Sequence, residues 1–155
     1  MSAILAVVLL LSGPSAEVDL ALDRYQESLA AARAAPPTQL EERATELLRL
    51  ASAIAPAFIE AQPACRAYLE AALTVKERWP LLGPESIERD FHQDGALPKG
   101  APALCYHMKD LIVHPATVLV LLAHGVQDVT VLRRELDEIL AHVQAVRALI
   151  EGDRN

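Results

Sequence analysis

The side chains most able to do chemistry crowd into one stretch, Cys105-Tyr106-His107-Met108-Lys109-Asp110-Leu111-Ile112-Val113-His114-Pro115. At about 100° of turn per residue, His107 and His114 lie about 20° apart on a helix, two turns from one another. Glu135 and His142 repeat the same seven-residue interval further along the chain. If the two flanks face each other across a bundle, two histidines and a carboxylate converge, a donor set that suits several transition metals. The interval also argues the other way, because seven residues separate side chains by about 10 Å along the axis. The plainer expectation is therefore a boundary histidine bonded to a carboxylate, with no ion. His124 falls in a last helical turn, where the helix dipole explains it, and His92 has no partner that the sequence names.

A noncovalent b-type haem would find Met108 and His107 as axial donors, but these are neighbours on one helix. Covalent haem attachment is excluded because no CxxCH occurs. HExxH, a Gly-rich phosphate loop and GxSxG are also absent. Asp90, Asp94 and Asp110 could move protons, yet nothing in the sequence pairs them. The expectation is a protein that is not an enzyme and holds no cofactor, with a metal ion or haem b as the alternative.

Cys65 and Cys105 are the only cysteines. In an oxidising compartment an even count points to one disulfide, and the alternatives are two buried thiols or a redox pair. No CxxC supports the redox reading. Closing a loop of about 40 residues stabilises by on the order of 4 kcal/mol at most.

These residues need elements to position them. Ala3 to Leu11 is an unbroken apolar run, followed by Ser12-Gly13-Pro14-Ser15-Ala16. The run is too short to span a membrane but fits the apolar region of an export signal. The expectation is cleavage before Ala16 or Glu17 and a periplasmic or secreted product, although no Lys or Arg precedes the run. Removal of residues 1–16 leaves a single domain over 17–155 with no lasting membrane anchor.

Four amphipathic helices follow. Val18, Leu22, Tyr25, Leu29 and Ala32 stripe the first, which Pro36-Pro37 ends. Thr38 and Glu41 have capping-box spacing before the second, striped by Leu40, Ala44, Leu47, Ala51, Ile54 and Phe58. Pro56 should kink or end that helix near Ala55. A continuation from Pro63 to Trp79 makes a fifth helix possible. Residues 79–102 are irregular, with a short helix near Glu85–Phe91 and a turn at Asp94-Gly95. The third long helix runs from Ala103 to His124 with Pro115 inside it, and Gly125 ends it. The fourth, capped by Asp128, is striped by Val129, Leu132, Leu136, Ile139, Val143, Val146 and Ile150, with Arg133, Arg134, Asp137 and Glu138 on its outer face. The fold expected is all-α: an antiparallel four-helix bundle with one long irregular segment and one disulfide.

Of the 155 residues, 52% are apolar but only 4% aromatic, so the core is built from Leu, Ala, Val and Ile. The net charge of −7, without a basic cluster, excludes nucleic acid as a partner. Val118 to Ala123 is apolar all round, and Val113 and Val120 point away from the main stripe. Either residues 79–102 cover this back, or Val113, Val120 and Leu121 meet an unknown protein or a second copy of the chain. The function expected is non-enzymatic binding or self-association through this helix, the alternative being a metal- or haem-binding bundle.

Overall fold

The computed structural model describes residues 14–153. The apolar run Ala3 to Leu11 lies outside the described residues. Helix α1 (Pro14–Ala34) leads through a 3-10 turn at Pro37–Gln39 into α2 (Leu40–Ala61). A second 3-10 turn, Pro63–Cys65, opens α3 (Arg66–Leu73), and α4 (Val75–Arg78) follows. After Trp79–Leu81 come α5 (Pro84–Ile87) and a π-helical turn, Glu88–His92. Helices α6 (Ala103–Ala123) and α7 (Val129–Asp153) complete the chain, and no strand occurs among the described residues. None of the described helices is long and apolar enough to cross a membrane.

The long helices α1, α2, α6 and α7 close into a ring in which each packs on the next. Ion pairs read out the directions. Asp23 meets Arg147 and Arg33 meets Asp137, so α1 and α7 run antiparallel. His107 meets His142 and His114 meets Glu135, so α6 and α7 do as well. The stripes read from the sequence on α1 and α2 are all buried, as are Leu132 to Ile150 of the α7 stripe.

One proline departs from expectation and one follows it. Helix α2 does not end near Ala55 but continues through the exposed Pro56 to Ala61, whereas Pro115 sits inside α6 as the sequence placed it. Pro115 is buried, and the carbonyl it leaves without an N–H donor belongs to Leu111. The Tyr25 hydroxyl, arriving from α1, donates to that carbonyl at 2.7 Å. Burial also raises the Tyr25 pKa well above its ordinary value, so the hydroxyl keeps its proton. The Thr38 capping box does not form: α2 starts at Gln39 without a side-chain cap, because the 3-10 turn delivers the chain directly into the helix.

Other ends follow the sequence. Gly125 takes φ +77°, and the bonds Val126 N–H to Leu121 O and Gly125 N–H to Leu122 O close α6 in a Schellman motif. Asp128 accepts from the Thr130 N–H at 2.9 Å and starts α7. The outer face of α7 is more than a solvated surface. Arg133 donates to the carbonyls of Arg33 and Ala35, capping the C-terminus of α1.

Cys65 and Cys105 form the disulfide, tying the start of α3 to the first turn of α6. With α3, α4, α5 and the turns between them laid along α6, that helix is central, buried on every side from Met108 to Val120. Val113 and Val120 are fully covered by the chain itself. This corrects their assignment to an interface with a partner, since the 79–92 segment already occupies the back of the helix; Leu121 is only half-buried.

Replacing Tyr25 with Phe strands the Leu111 carbonyl in the core without a donor. The expected loss is about 1–3 kcal/mol of unfolding free energy in urea titration, with helix content unchanged. A loss below a few tenths would show that Pro115 needs no such partner.

Candidate functional site

Lys109 is fully buried on the back of α6, beside Asp110, which is also fully buried. Its ammonium donates to the His92 carbonyl at 2.9 Å and to Asp94 Oδ1 at 3.0 Å, and lies 2.9 Å from Asp110 Oδ1. The Tyr106 ring stands 4.3 Å from the ammonium. Asp94 is held in place by the Tyr68 hydroxyl at 2.8 Å, and burial with that bond raises the Tyr68 pKa. To reach Lys109, the chain turns at Asp94 with φ +60°. Gly95 follows because a Cβ there would overlap the Arg89 carbonyl oxygen. The expected turn at Asp94-Gly95 is therefore an anchor for a buried charge.

Next to this ion cluster the histidines gather. His107 and His142 share a hydrogen bond between their Nδ1 atoms at 2.9 Å. His114, fully buried, bonds through Nδ1 to Glu135 Oε2 at 2.8 Å. His92 bonds through Nδ1 to Glu88 Oε2 at 2.8 Å and stacks edge-on against His114, ring centres 4.7 Å apart. The rings of His114 and His142 are 5.3 Å apart. All four residues singled out by the seven-residue intervals thus lie in one cluster. Met108 does not join them, since its side chain is buried in the apolar core while His107 turns to His142.

The Nε2 atoms matter most. His114 Nε2 is buried and has no hydrogen-bond partner. Neither oxygen of Asp110 accepts a well-aligned hydrogen bond: the Lys109 ammonium is at ion-pair distance but off the bonding direction, and the Tyr106 hydroxyl interacts with the carboxylate without reaching bonding geometry. His142 Nε2 faces Asp110 Oδ2 at 3.4 Å, and His114 Nε2 faces Glu138 Oε2 at 3.7 Å. Donor atoms of Asp110, His114 and His142 all lie within 4.8 Å of one another, and so do those of His92, His114 and Glu138. Separations of 3.4 and 3.7 Å are too loose for hydrogen bonds. They fit two ligands of one ion: at bond lengths of about 2.1 Å in a tetrahedron, neighbouring donors stand about 3.4 Å apart.

Sequence reasoning left His92, Asp94, Asp110, Glu138 and Lys109 out of the donor set and its surroundings. His92 and Glu138 had no visible partner because they come from a π turn and from what looked like a solvent face. Lys109 left a faint signal, falling one helical turn from both Cys105 and Val113 on the apolar back of α6. The arrangement also keeps His142 unprotonated. Burial pushes its pKa down to about 4, with His114, His107 and Lys109 adding to the effect and Asp110 opposing it. Burial and Asp110 push Tyr106 up to about 12, so its phenol stays neutral.

The fold and cluster together define a disulfide-bonded helical bundle with a buried histidine–carboxylate site. No protein-family model, curated protein or solved structure matches the chain.

The depressed His142 pKa makes stability depend on pH. The unfolded chain takes up this proton near pH 6.5 and the folded one only near pH 4. Stabilisation is complete above 6.5 and disappears as pH falls toward 4, by on the order of 3 kcal/mol. Urea midpoints of chelator-treated protein should decline across that window, and less so in His142→Gln. Equal slopes in the two proteins would contradict the assignment.

Proposed function

We propose that the protein binds one divalent first-row transition-metal ion through His114 Nε2, His142 Nε2 and Asp110 Oδ2. The observation that carries the reading is that His114 Nε2 and the Asp110 carboxylate are buried without a hydrogen bond, with His142 Nε2 3.4 Å from Asp110 Oδ2 and the donor atoms of all three residues within 4.8 Å of one another. Natural proteins seldom leave such atoms unsatisfied without a function. The surroundings agree. Glu135 accepts the Nδ1 proton of His114, and His107 can accept that of His142, so both rings turn a lone pair toward the ion. Lys109 pairs with both Asp94 and Asp110, so the two carboxylates together leave one net negative charge beside the proposed ion. Imidazole with carboxylate suits zinc, copper, iron or nickel over calcium or magnesium.

We read the site as a binding site: its three ligands leave a fourth position, enough to hold or deliver an ion. The disulfide and the apolar run at Ala3 to Leu11 support a location outside the reducing cytoplasm, periplasmic or secreted.

Titrating chelator-treated protein with Co(II) or Zn(II) should give one ion per chain at micromolar concentrations or tighter. His142→Ala and His114→Ala should abolish this uptake, and Glu135→Gln should weaken it about 10–100-fold. A folded parent protein that takes up no zinc, copper or cobalt would sink the proposal.

A further inference from the structure

Two donor sets share one residue, His114. Asp110, His114 and His142 form the inner set; His92, His114 and Glu138 form the outer. The sets differ in exposure. The side chains of Asp110 and His114 are fully buried and that of His142 is 15% exposed, whereas His92 is 21% and Glu138 45% exposed. His114 can serve only one set at a time, because Nδ1 is occupied by Glu135 and Nε2 has one lone pair. The two sets therefore cannot hold two ions at once through it. They are alternative positions for a single ion, one at the surface and one inside.

Resting on the metal-binding reading above, we propose that His92 and Glu138 form an entry station that captures the divalent ion and passes it to Asp110 and His142 by way of His114. The station is prepared as the inner site is. Glu88 holds His92 Nδ1 at 2.8 Å, so the ring's Nε2 is the nitrogen left for an ion. His92 also lines a surface cleft of about 290 Å³ with Glu88, Gln93, Asp94 and Tyr106, the opening by which an ion reaches the cluster from solvent. Glu88 and Asp94 place carboxylates at this mouth, where negative charge raises the local concentration of cations, and the half-exposed Glu138 completes the outer donor set. In the inner set only His142 reaches the surface, and only by 15%, while Asp110 and His114 are fully buried. Transfer needs only a short step. His114 Nε2 stays on the ion while Glu138 and His92 are exchanged for Asp110 and His142, so the ion is never stripped of all its ligands.

Stopped-flow mixing of the chelator-treated full chain with Co(II), followed by its visible absorption, tests the station. A passage residue lowers the barrier in both directions. Glu138→Gln and His92→Gln should therefore each slow loading and chelator-driven release by the same factor, about tenfold, with the dissociation constant unchanged. Glu138 is exposed, and matching thermal midpoints will show that each variant folds. Glu138→Asp should restore part of the rate. Unchanged rates overturn the proposal. So does a loss of affinity as large as that of His142→Ala, which would make these residues ligands of the resting site. Slower loading with unchanged release also overturns it, since that pattern is charge attraction alone. A parent protein that binds no Co(II) overturns the metal reading itself, a distinct result from the other three.

Discussion

A fully buried ammonium organises this molecule. Removing the Lys109 charge from water costs several kcal/mol even after relaxation, unless acceptors replace its hydration shell. Helix α6 alone offers it only Asp110, so the rest must come from the segment crossing the back of α6. The π turn brings the His92 carbonyl, and the left-handed Asp94 brings a carboxylate. Each supplier then needs its own support. Tyr68 of α3 holds Asp94, Gly95 lets the backbone pass the Arg89 carbonyl, and the disulfide fixes Cys105 one turn before Lys109. The irregular segment is thus specified by one charge more than by any apolar stripe of its own.

Asp110 stands between two demands. One oxygen answers Lys109, while the other faces His142 without a hydrogen bond. A buried polar atom left in that state costs about 1–3 kcal/mol. His114 Nε2 carries a similar cost, and a cation between them, as proposed, would offset both. The fold tolerates this cost because its stability is built elsewhere, in the apolar stripes of α1, α2 and α7 and in the Tyr25 bond beneath Pro115. Packing makes the frame rigid, and the frame holds the unsatisfied polar atoms in place.

Much of the frame was legible in the sequence. Stripes at alternating intervals of three and four fixed four helices and their inward faces, and two lone cysteines fixed the disulfide. Pro56 misled as a helix end, and Pro115 hid its main consequence, because the rule that proline breaks a helix omits where the freed carbonyl goes. At Pro115 it goes to a tyrosine 86 positions earlier, information that no local window contains. The site was half legible. His107, His114, Glu135 and His142 declared themselves by spacing, but His92, Asp94 and Glu138 join only through tertiary packing. The apolar back of α6 was visible too, and it suggested a partner because Lys109 was not recognised as part of that same back.

The seven-residue interval, which first counted against a shared ion, acquires a different meaning in three dimensions. On antiparallel helices, a step of seven forward on α6 is matched by a step of seven back on α7. His107 therefore faces His142 while His114 faces Glu135, two contacts at one register. The two histidines of α6 need not reach one ion together. His107 orients His142, Glu135 orients His114, and the oriented pair meets Asp110 between them. The α6–α7 seam is set by these two contacts, while Arg33–Asp137 and Asp23–Arg147 fix α1 on the neighbouring face of α7. Because only the folded register assembles the donors, an ion bound as proposed would shift the folding equilibrium toward that register by mass action. A one-turn slip would separate His114 from Glu135 and take the donor set apart, so the register that packs the two helices is also the one that builds the cluster.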